Sequence, residues 1–239
     1  MDTSGLQVCS RGYKSMPVLA GFHAEGNDHL ILHAFAAKLL GLGEDAIAVD
    51  FIDSPGRGWH FVLDFLPNAL KRFYGKCAQF AVIGIDNDGN TDLDQTGLPE
   101  DPAHPRHDRH PGETLAACRR CQLAQLVDQL RAELHWVPKK PGATWPVLIA
   151  VPVEMIETWL LIVRGSPNIH RKPRSIQKQL LYGRPVATGD DVRNIAIPLV
   201  RGLTAAHIDN LRAVSPSFLD FHEQIETARA AIIGDAECW

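Results

Sequence analysis

The sequence predicts an α/β protein in which a mostly parallel sheet is flanked by helices and completed by a mainly helical C-terminal part. Two observations lead to this fold class. Short apolar runs of strand type alternate with segments whose apolar residues recur at helical spacing. The resulting order of strand, helix, strand, helix, strand requires crossover connections, and these favour parallel pairing with a right-handed crossover.

The predicted strands are the apolar runs at residues 17–22, 46–52, 79–85 and 146–152. The run at 79–85 is the best central strand, because it carries no charge and contains β-branched and aromatic residues. Apolar spacing and capping residues predict helices at 59–73, 113–134, 175–182, 190–203 and 217–233, and further helices beginning at Asn27 or Asp28 and near Val153.

Composition divides the chain into three parts. Residues 1–15 show no regular pattern and are expected to form a flexible leader. Residues 16–165 contain the predicted sheet, interrupted at 87–112 by a polar insertion rich in glycine, proline, aspartate and histidine. Residues 166–239 form the helical part that completes the domain.

Composition also argues against a membrane or secreted protein. Hydrophobic residues make up 45% and charged residues 22% of the chain, as in ordinary globular proteins. No apolar run reaches the roughly 18 residues of a membrane span, and the first residues lack the apolar stretch of a signal peptide. Five cysteines, an odd number, predict reduced thiols in the cytoplasm. The net charge of -4 does not by itself indicate a nucleic-acid partner.

Acidic residues follow three of the predicted strands. Glu25 comes after the first strand, Asp86 and Asp88 after the third, and Glu154 and Glu157 after the fourth. The carboxyl ends of parallel strands lie at one edge of the sheet, where ligands of open α/β sheets bind. Carboxylates that meet there repel one another unless a hard divalent cation neutralises them. The alternative explanation is helix capping and turn formation, which also favour acidic residues at these places.

These acidic motifs resemble the Toprim fold, the metal-binding α/β domain of topoisomerases, primases and OLD-type nucleases. The match rests on Glu-Gly at 25–26 after a strand, Asp-x-Asp at 86–88 after a later strand, and a further glutamate on another element. The segment VPVEMIETWLL at 151–161 resembles the EEIEAWLL block of the DUF4276 and RloB-like group of bacterial proteins, and SPSF at 215–218 resembles a late element of that group. Where the group often has Glu-Gly-x-Thr-Glu, this chain reads EGNDH.

The resemblance implies a Mg²⁺- or Mn²⁺-dependent nuclease, with relatives in bacterial anti-phage defence or toxin modules. It implies that Asp86 and Asp88 hold the cation and that Glu25 acts as general base, general acid or ligand. Glu157 completes the site in this assignment, and Glu154 is a further candidate ligand. Glu157 is preferred because it aligns with the glutamate that precedes the group's tryptophan.

A basic segment lies beyond the last of these motifs. Between residues 158 and 189 there is no acidic residue, but there are six cationic ones. A basic surface beside an acidic metal site suits a phosphodiester, either DNA or RNA; the alternative is a solvated helical face. The candidate nucleic-acid-binding residues are Arg164, Arg171, Lys172, Arg174, Lys178 and Arg184.

Histidines and cysteines cluster in and after the polar insertion. A Cys-x-x-Cys pair with nearby histidines suits tetrahedral Zn²⁺. The pair also falls within a helical pattern, so two reduced thiols beside a polar loop are the simpler interpretation, and a redox pair is a third. The candidate zinc ligands are His104, His107, His110, Cys118 and Cys121.

Three functions therefore follow from the sequence. The first is a metal-dependent nuclease, acting on nucleic acid with or without a defence-system partner and able to form a homo-oligomer. The second is a non-catalytic subunit that keeps the fold and binds nucleic acid or protein through the basic segment. The third is an interaction module stabilised by zinc.

Overall fold

The computed structural model describes residues 17–52, 58–86, 119–133, 144–152, 155–167, 169 and 172–234. In these residues it forms a four-stranded, fully parallel sheet whose strands are β1 (Val18–Ala24), β2 (Ile47–Phe51), β3 (Phe80–Gly84) and β4 (Val147–Ala150). The strand order is β2-β1-β3-β4. All three strand pairs are parallel, so the predicted α/β fold is confirmed.

Helices connect the strands and follow the last of them. They are α1 (Asp28–Leu40), α2 (Trp59–Gly75), α3 (Arg119–Glu133), α4 (Glu157–Val163), α5 (Arg174–Tyr182), α7 (Ala205–Val214) and α8 (Pro216–Ile233). The remaining helix, α6, consists of three consecutive segments, Gly189–Asp191, the π-helical Val192–Ala196 and Ile197–Arg201. The predicted helical C-terminal part is thus confirmed.

The helices cover both faces of the sheet because side chains along each buried strand point alternately to opposite sides. On β3, Ala81 and Ile83 belong to the apolar core shared with α2 and α3. Phe80 and Val82 belong to the second core, which contains α1 and residues of every C-terminal helix. Trp159 lies at the centre of this second core, with its ring 5.3 Å from that of Phe218. Aromatic pairs of this kind add about 0.5–1.5 kcal/mol each beyond their buried area.

The connections place α1 and α2 on opposite faces of the sheet. α1 joins β1 to β2 on one face, and α2 joins β2 to β3 on the other, so the strand order reverses between β1 and β3. Gly21 of β1 allows α2 to pack closely, because a Cβ at this position would collide with the Phe73 ring. In doubly wound sheets a ligand binds at the carboxyl ends of the two strands where the order reverses.

The structure differs from the prediction in the start of one helix and in the presence of another. The helix after β4 begins at Glu157 rather than near Val153. The N–H groups of Thr158 and Trp159 bond to carbonyls three residues earlier, so a tight turn at Met155 and Ile156 precedes the helix. Helix α7 was not predicted; it begins with a capping box in which Thr204 and His207 satisfy each other's backbone N–H groups.

The cysteines differ in state. Cys121 forms no disulfide and is buried in α3. Cys77 is disulfide-bonded, so the expectation of reduced thiols is wrong for this residue. Disulfides are rare in a reducing cytoplasm, so the disulfide at Cys77 does not support the predicted cytoplasmic location.

Candidate functional site

The candidate site lies at the carboxyl edge of the sheet, at the point where the strand order reverses. Glu25 is the first residue after β1, and Asp86 lies two residues beyond the end of β3. The backbone N–H of Asp86 donates a hydrogen bond to Oε1 of Glu25 at 3.2 Å. The acidic residues that follow these two neighbouring strands are therefore in direct contact.

Asp86 is the most enclosed member of this site. It is 4% exposed, and its Oδ2 accepts a hydrogen bond from Nη2 of Arg174 at 2.5 Å. Its main-chain carbonyl accepts a hydrogen bond from the guanidinium of Arg119, at the start of α3. Arg119 in turn lies over the Trp59 ring, 4.8 Å from its centroid, so stacking orients the guanidinium toward Asp86.

Glu157 enters the site from the element that follows β4. It is the first residue of α4, is 4% exposed, and has Oε1 4.0 Å from Nζ of Lys178. Trp159, two residues later, is fully buried and fixes the start of α4 against the core. The structure thus brings Glu25, Asp86 and Glu157, which follow three different strands, to one place.

A fourth carboxylate, Asp28, completes the cluster and was not predicted as a site residue. It is the first residue of α1 and is partly buried. Burial raises the pKa of Asp28 well above its usual value, and the neighbouring Glu157 and Glu25 carboxylates raise it further. The sequence favoured a helix-capping role for Asp28, because an acidic residue is stabilised at a helix start without any other function.

The same repulsion acts on Asp86. Burial raises its pKa well above the usual value, and the Asp28 carboxylate adds to this; the positive charge of Arg174 opposes the rise. Glu157 and Glu25 contribute further repulsion. The four carboxylates therefore form one electrostatic unit that favours the entry of positive charge.

One face of α5 covers this unit. Arg174, Lys178 and Tyr182 recur every four residues and so share one side of the helix. The buried Tyr182 hydroxyl makes no hydrogen bond of normal geometry with the described residues, although it lies beside Glu157. Burial, and then the Glu157 and Asp28 carboxylates, raise the pKa of Tyr182 above its usual value, so the hydroxyl stays protonated. The protonated hydroxyl is a hydrogen-bond donor beside Glu157.

The residues fit a hard divalent cation by their chemistry, because carboxylate oxygens are the preferred ligands of Mg²⁺ and Mn²⁺. Among the described residues, no three or more Asp, Glu, His or Cys side chains stand in a metal-coordinating arrangement. Two of the carboxylates are instead paired with cations of the chain: Arg174 contacts Asp86, and Lys178 lies 4.0 Å from Glu157. A cation would have to displace these groups.

Several predicted site residues lie outside the described part of the chain. They are Asp88, Glu154, Arg171, His104, His107, His110 and Cys118. Cys121, the remaining candidate zinc ligand, is 6% exposed within α3. Asp88 and Glu154 remain predicted ligands.

Where the structure describes the basic segment, four of its cations already contact an acceptor of this chain. Arg164 donates to the carbonyl of Leu181 at 3.1 Å, and Arg184 lies 3.4 Å from Asp191. Lys172, just before α5, is partly buried. Arg174 and Lys178 face the carboxylates, so these two cations belong to the site itself.

Fold and site together define an α/β protein with an acidic cluster at the switch point of a parallel sheet. Comparison with protein-family models, with curated proteins and with solved structures gave no match. In the part of the chain that the structure describes, no helix has the length and apolar character needed to cross a membrane.

Proposed function

We propose that this protein is a nuclease that hydrolyses phosphodiester bonds with the help of Mg²⁺ or Mn²⁺. The observation that carries the proposal is the meeting of Glu25, Asp28, Asp86 and Glu157 at the switch point, with Arg174 and Lys178 beside them. A cluster of carboxylates flanked by two cations can hold a divalent ion and an anionic substrate at the same time.

Each residue has a defined part in this proposal. Asp86 and Glu157, which are buried and fixed, hold the cation together with Asp28, and Asp88 and Glu154 are further candidate ligands. The bound cation would neutralise the phosphate and lower the pKa of a bound water. Glu25 is more exposed and acts as ligand or as general base toward that water.

The substrate-facing groups follow from the same geometry. Arg174 and Lys178 bind the phosphate through charge-assisted hydrogen bonds, which are stronger than neutral ones. The resemblance of the motifs to Toprim proteins of the DUF4276 and RloB-like group supports this assignment, a cytoplasmic location and a place in anti-phage defence. Titration of free thiols in protein from reducing cells tests the location, because a cytoplasmic protein should yield Cys77 as a thiol.

The proposal is tested by a cleavage assay on DNA and RNA panels with Mg²⁺, Mn²⁺ or EDTA. Wild-type protein should cleave at least one substrate only with a cation, and Asp86→Asn and Glu25→Gln should lose at least 100-fold in rate, about 2.7 kcal/mol of transition-state stabilisation. Asp209→Asn, an exposed acidic residue on α7, is the matched control and should retain full activity. Equal cation-dependent activity in Asp86→Asn and wild type would refute the proposal.

A second function has its own supporting observation. Arg174 and Lys178 already neutralise two carboxylates, an arrangement suited to a non-catalytic subunit that needs no metal. Such a subunit would bind nucleic acid in a salt-sensitive manner that EDTA does not change, and it would show no cleavage with either cation.

A further inference from the structure

We infer that Arg174 and Lys178 are internal counterions that move from the carboxylates to the phosphate of the substrate when a divalent cation enters. Cation binding and phosphate binding are then coupled, and α5 is the element that couples them. This inference rests on the proposed function and adds to it an order of binding and a regulation of the site.

The first support is the difference in solvent exposure between the two sides of each ion pair. The Asp86 and Glu157 side chains are 6% and 5% exposed, and both are held at the ends of elements packed in the core. The Arg174 and Lys178 side chains are 36% and 28% exposed. Long side chains that reach solvent can change rotamer without unfolding the helix, whereas the carboxylates cannot leave.

The second support is competition for the same oxygen atoms. Oδ2 of Asp86 lies 2.5 Å from Nη2 of Arg174, so the guanidinium already neutralises the charge that a cation at this carboxylate would use. A divalent ion with two charges and close oxygen contacts interacts more strongly with the carboxylate than a guanidinium does. Cation entry therefore displaces Arg174 and, one turn further along α5, Lys178.

The third support is where the displaced charges go. Arg174 and Lys178 lie on one face of α5, so both are released on the same side of the site. Two cations in this position beside a bound metal ion attract a phosphate group. By linkage, a phosphate that holds Arg174 and Lys178 away from the carboxylates must also raise the affinity for the cation, typically by about 5–150-fold.

One substitution, Arg174→Gln, should strengthen Mn²⁺ binding and weaken the effect of a bound phosphate on that binding. Arg174→Gln removes the competing charge, so Mn²⁺ alone should bind about 5-fold or more tightly than to wild type, measured by titration calorimetry. A short single-stranded oligonucleotide with phosphorothioate linkages should strengthen Mn²⁺ binding to wild type and should do so much less in Arg174→Gln. Arg193→Gln, an exposed arginine paired with Asp190 on α6, is the matched control and should behave as wild type in both measurements.

Lys178→Gln is a second variant that tests the same coupling if Arg174→Gln does not fold. Its ion pair is longer, at 4.0 Å, so the same change in Mn²⁺ affinity is expected with smaller size. Equal or weaker Mn²⁺ binding by folded Arg174→Gln and Lys178→Gln, compared with wild type, would overturn the inference and leave the proposed function intact. No Mn²⁺ binding by wild type or by any variant would overturn the proposed function and the inference with it.

Discussion

Replacing Asp28 by asparagine should stabilise the protein when no divalent cation is present. Asp28 is partly buried beside Glu157 and Glu25, and the cluster holds four carboxylates against the two cations of α5. Asparagine has nearly the same shape but no charge, so the repulsion is removed while the packing is kept. The change tests whether these residues act as one electrostatic unit.

The expected size follows from the charges. Two unit charges about 6 Å apart repel by about 3 kcal/mol at an effective dielectric constant of about 20. Attraction to Lys178 and Arg174, which the substitution also removes, offsets part of this. A negative charge in the first turn of α1 contributes about 0.5 kcal/mol in the opposite sense. We therefore expect a gain in the free energy of unfolding of about 1–2 kcal/mol, or a rise in Tm of about 2–8 °C.

The gain should depend on pH with a defined sign. Because the pKa of Asp28 is raised in the folded state, its charge destabilises the wild type above that raised pKa and has no effect below the unfolded pKa. The advantage of Asp28→Asn should therefore be largest above the folded pKa of Asp28 and should shrink as pH falls from the folded toward the unfolded pKa. Urea unfolding in EDTA, followed by circular dichroism at several pH values, measures both quantities.

Asp209→Asn is the control for this experiment. Asp209 is 71% exposed in its side chain and pairs only loosely with Arg212 at 3.6 Å. Its replacement should change the free energy of unfolding by less than about 0.5 kcal/mol. If Asp28→Asn is no more stable than wild type at any of these pH values while the control is unchanged, the repulsive cluster does not exist.

Two further substitutions test contacts that position the sheet. Asp50→Asn weakens the hydrogen bonds from Arg72 and Lys76 and should lower the free energy of unfolding by about 1–2 kcal/mol. Burial alone would raise the pKa of Asp50, but these bonds lower it below its usual value. The difference from wild type should therefore vanish as pH falls through the folded pKa of Asp50. Gln224→Ala removes the side-chain amide that pairs with both the N–H and the C=O of Ile149, and should cost about 1–3 kcal/mol in urea unfolding and speed exchange of the Ile149 amide hydrogen.

Each of these substitutions has a control of the same residue type. Asp64→Asn changes an exposed residue of α2, and Gln179→Ala removes an exposed hydrogen bond to the carbonyl of Gly183. Both should stay within about 0.5 kcal/mol of wild type. A variant at position 50 or 224 that is as stable as its control would contradict the assigned contact.

The sequence predicted the fold well because the signals of the sheet are local. The apolar runs at 79–85 and 146–152 contain β3 and β4, and their alternating side chains fill the two cores. Helix α7 was missed because only Leu211 of its residues is buried, so the apolar spacing that reveals a helix is weak there. The capping pair Thr204 and His207 was the available signal.

The candidate site was predictable only in part. Carboxylates after strands can be found by position, since parallel strands place their ends together, and Glu25, Asp86 and Glu157 meet in this way. Asp28 was overlooked because an acidic residue at a helix start already has a sufficient local reason. The pairing of Arg174 with Asp86 joins residues 88 positions apart, and no local pattern encodes such a contact. The sequence therefore indicated the acids but not the cations that cover them.

Anomalous diffraction from crystals soaked in Mn²⁺ is the most direct test of the central claim, that the strand-end carboxylates hold a divalent cation. We expect an anomalous peak in contact with Asp86 and with at least one of Glu25, Asp28 and Glu157, and a guanidinium of Arg174 that has left Asp86. Saturating Mn²⁺ that gives no peak at this edge of the sheet, with Arg174 still on Asp86, would contradict it.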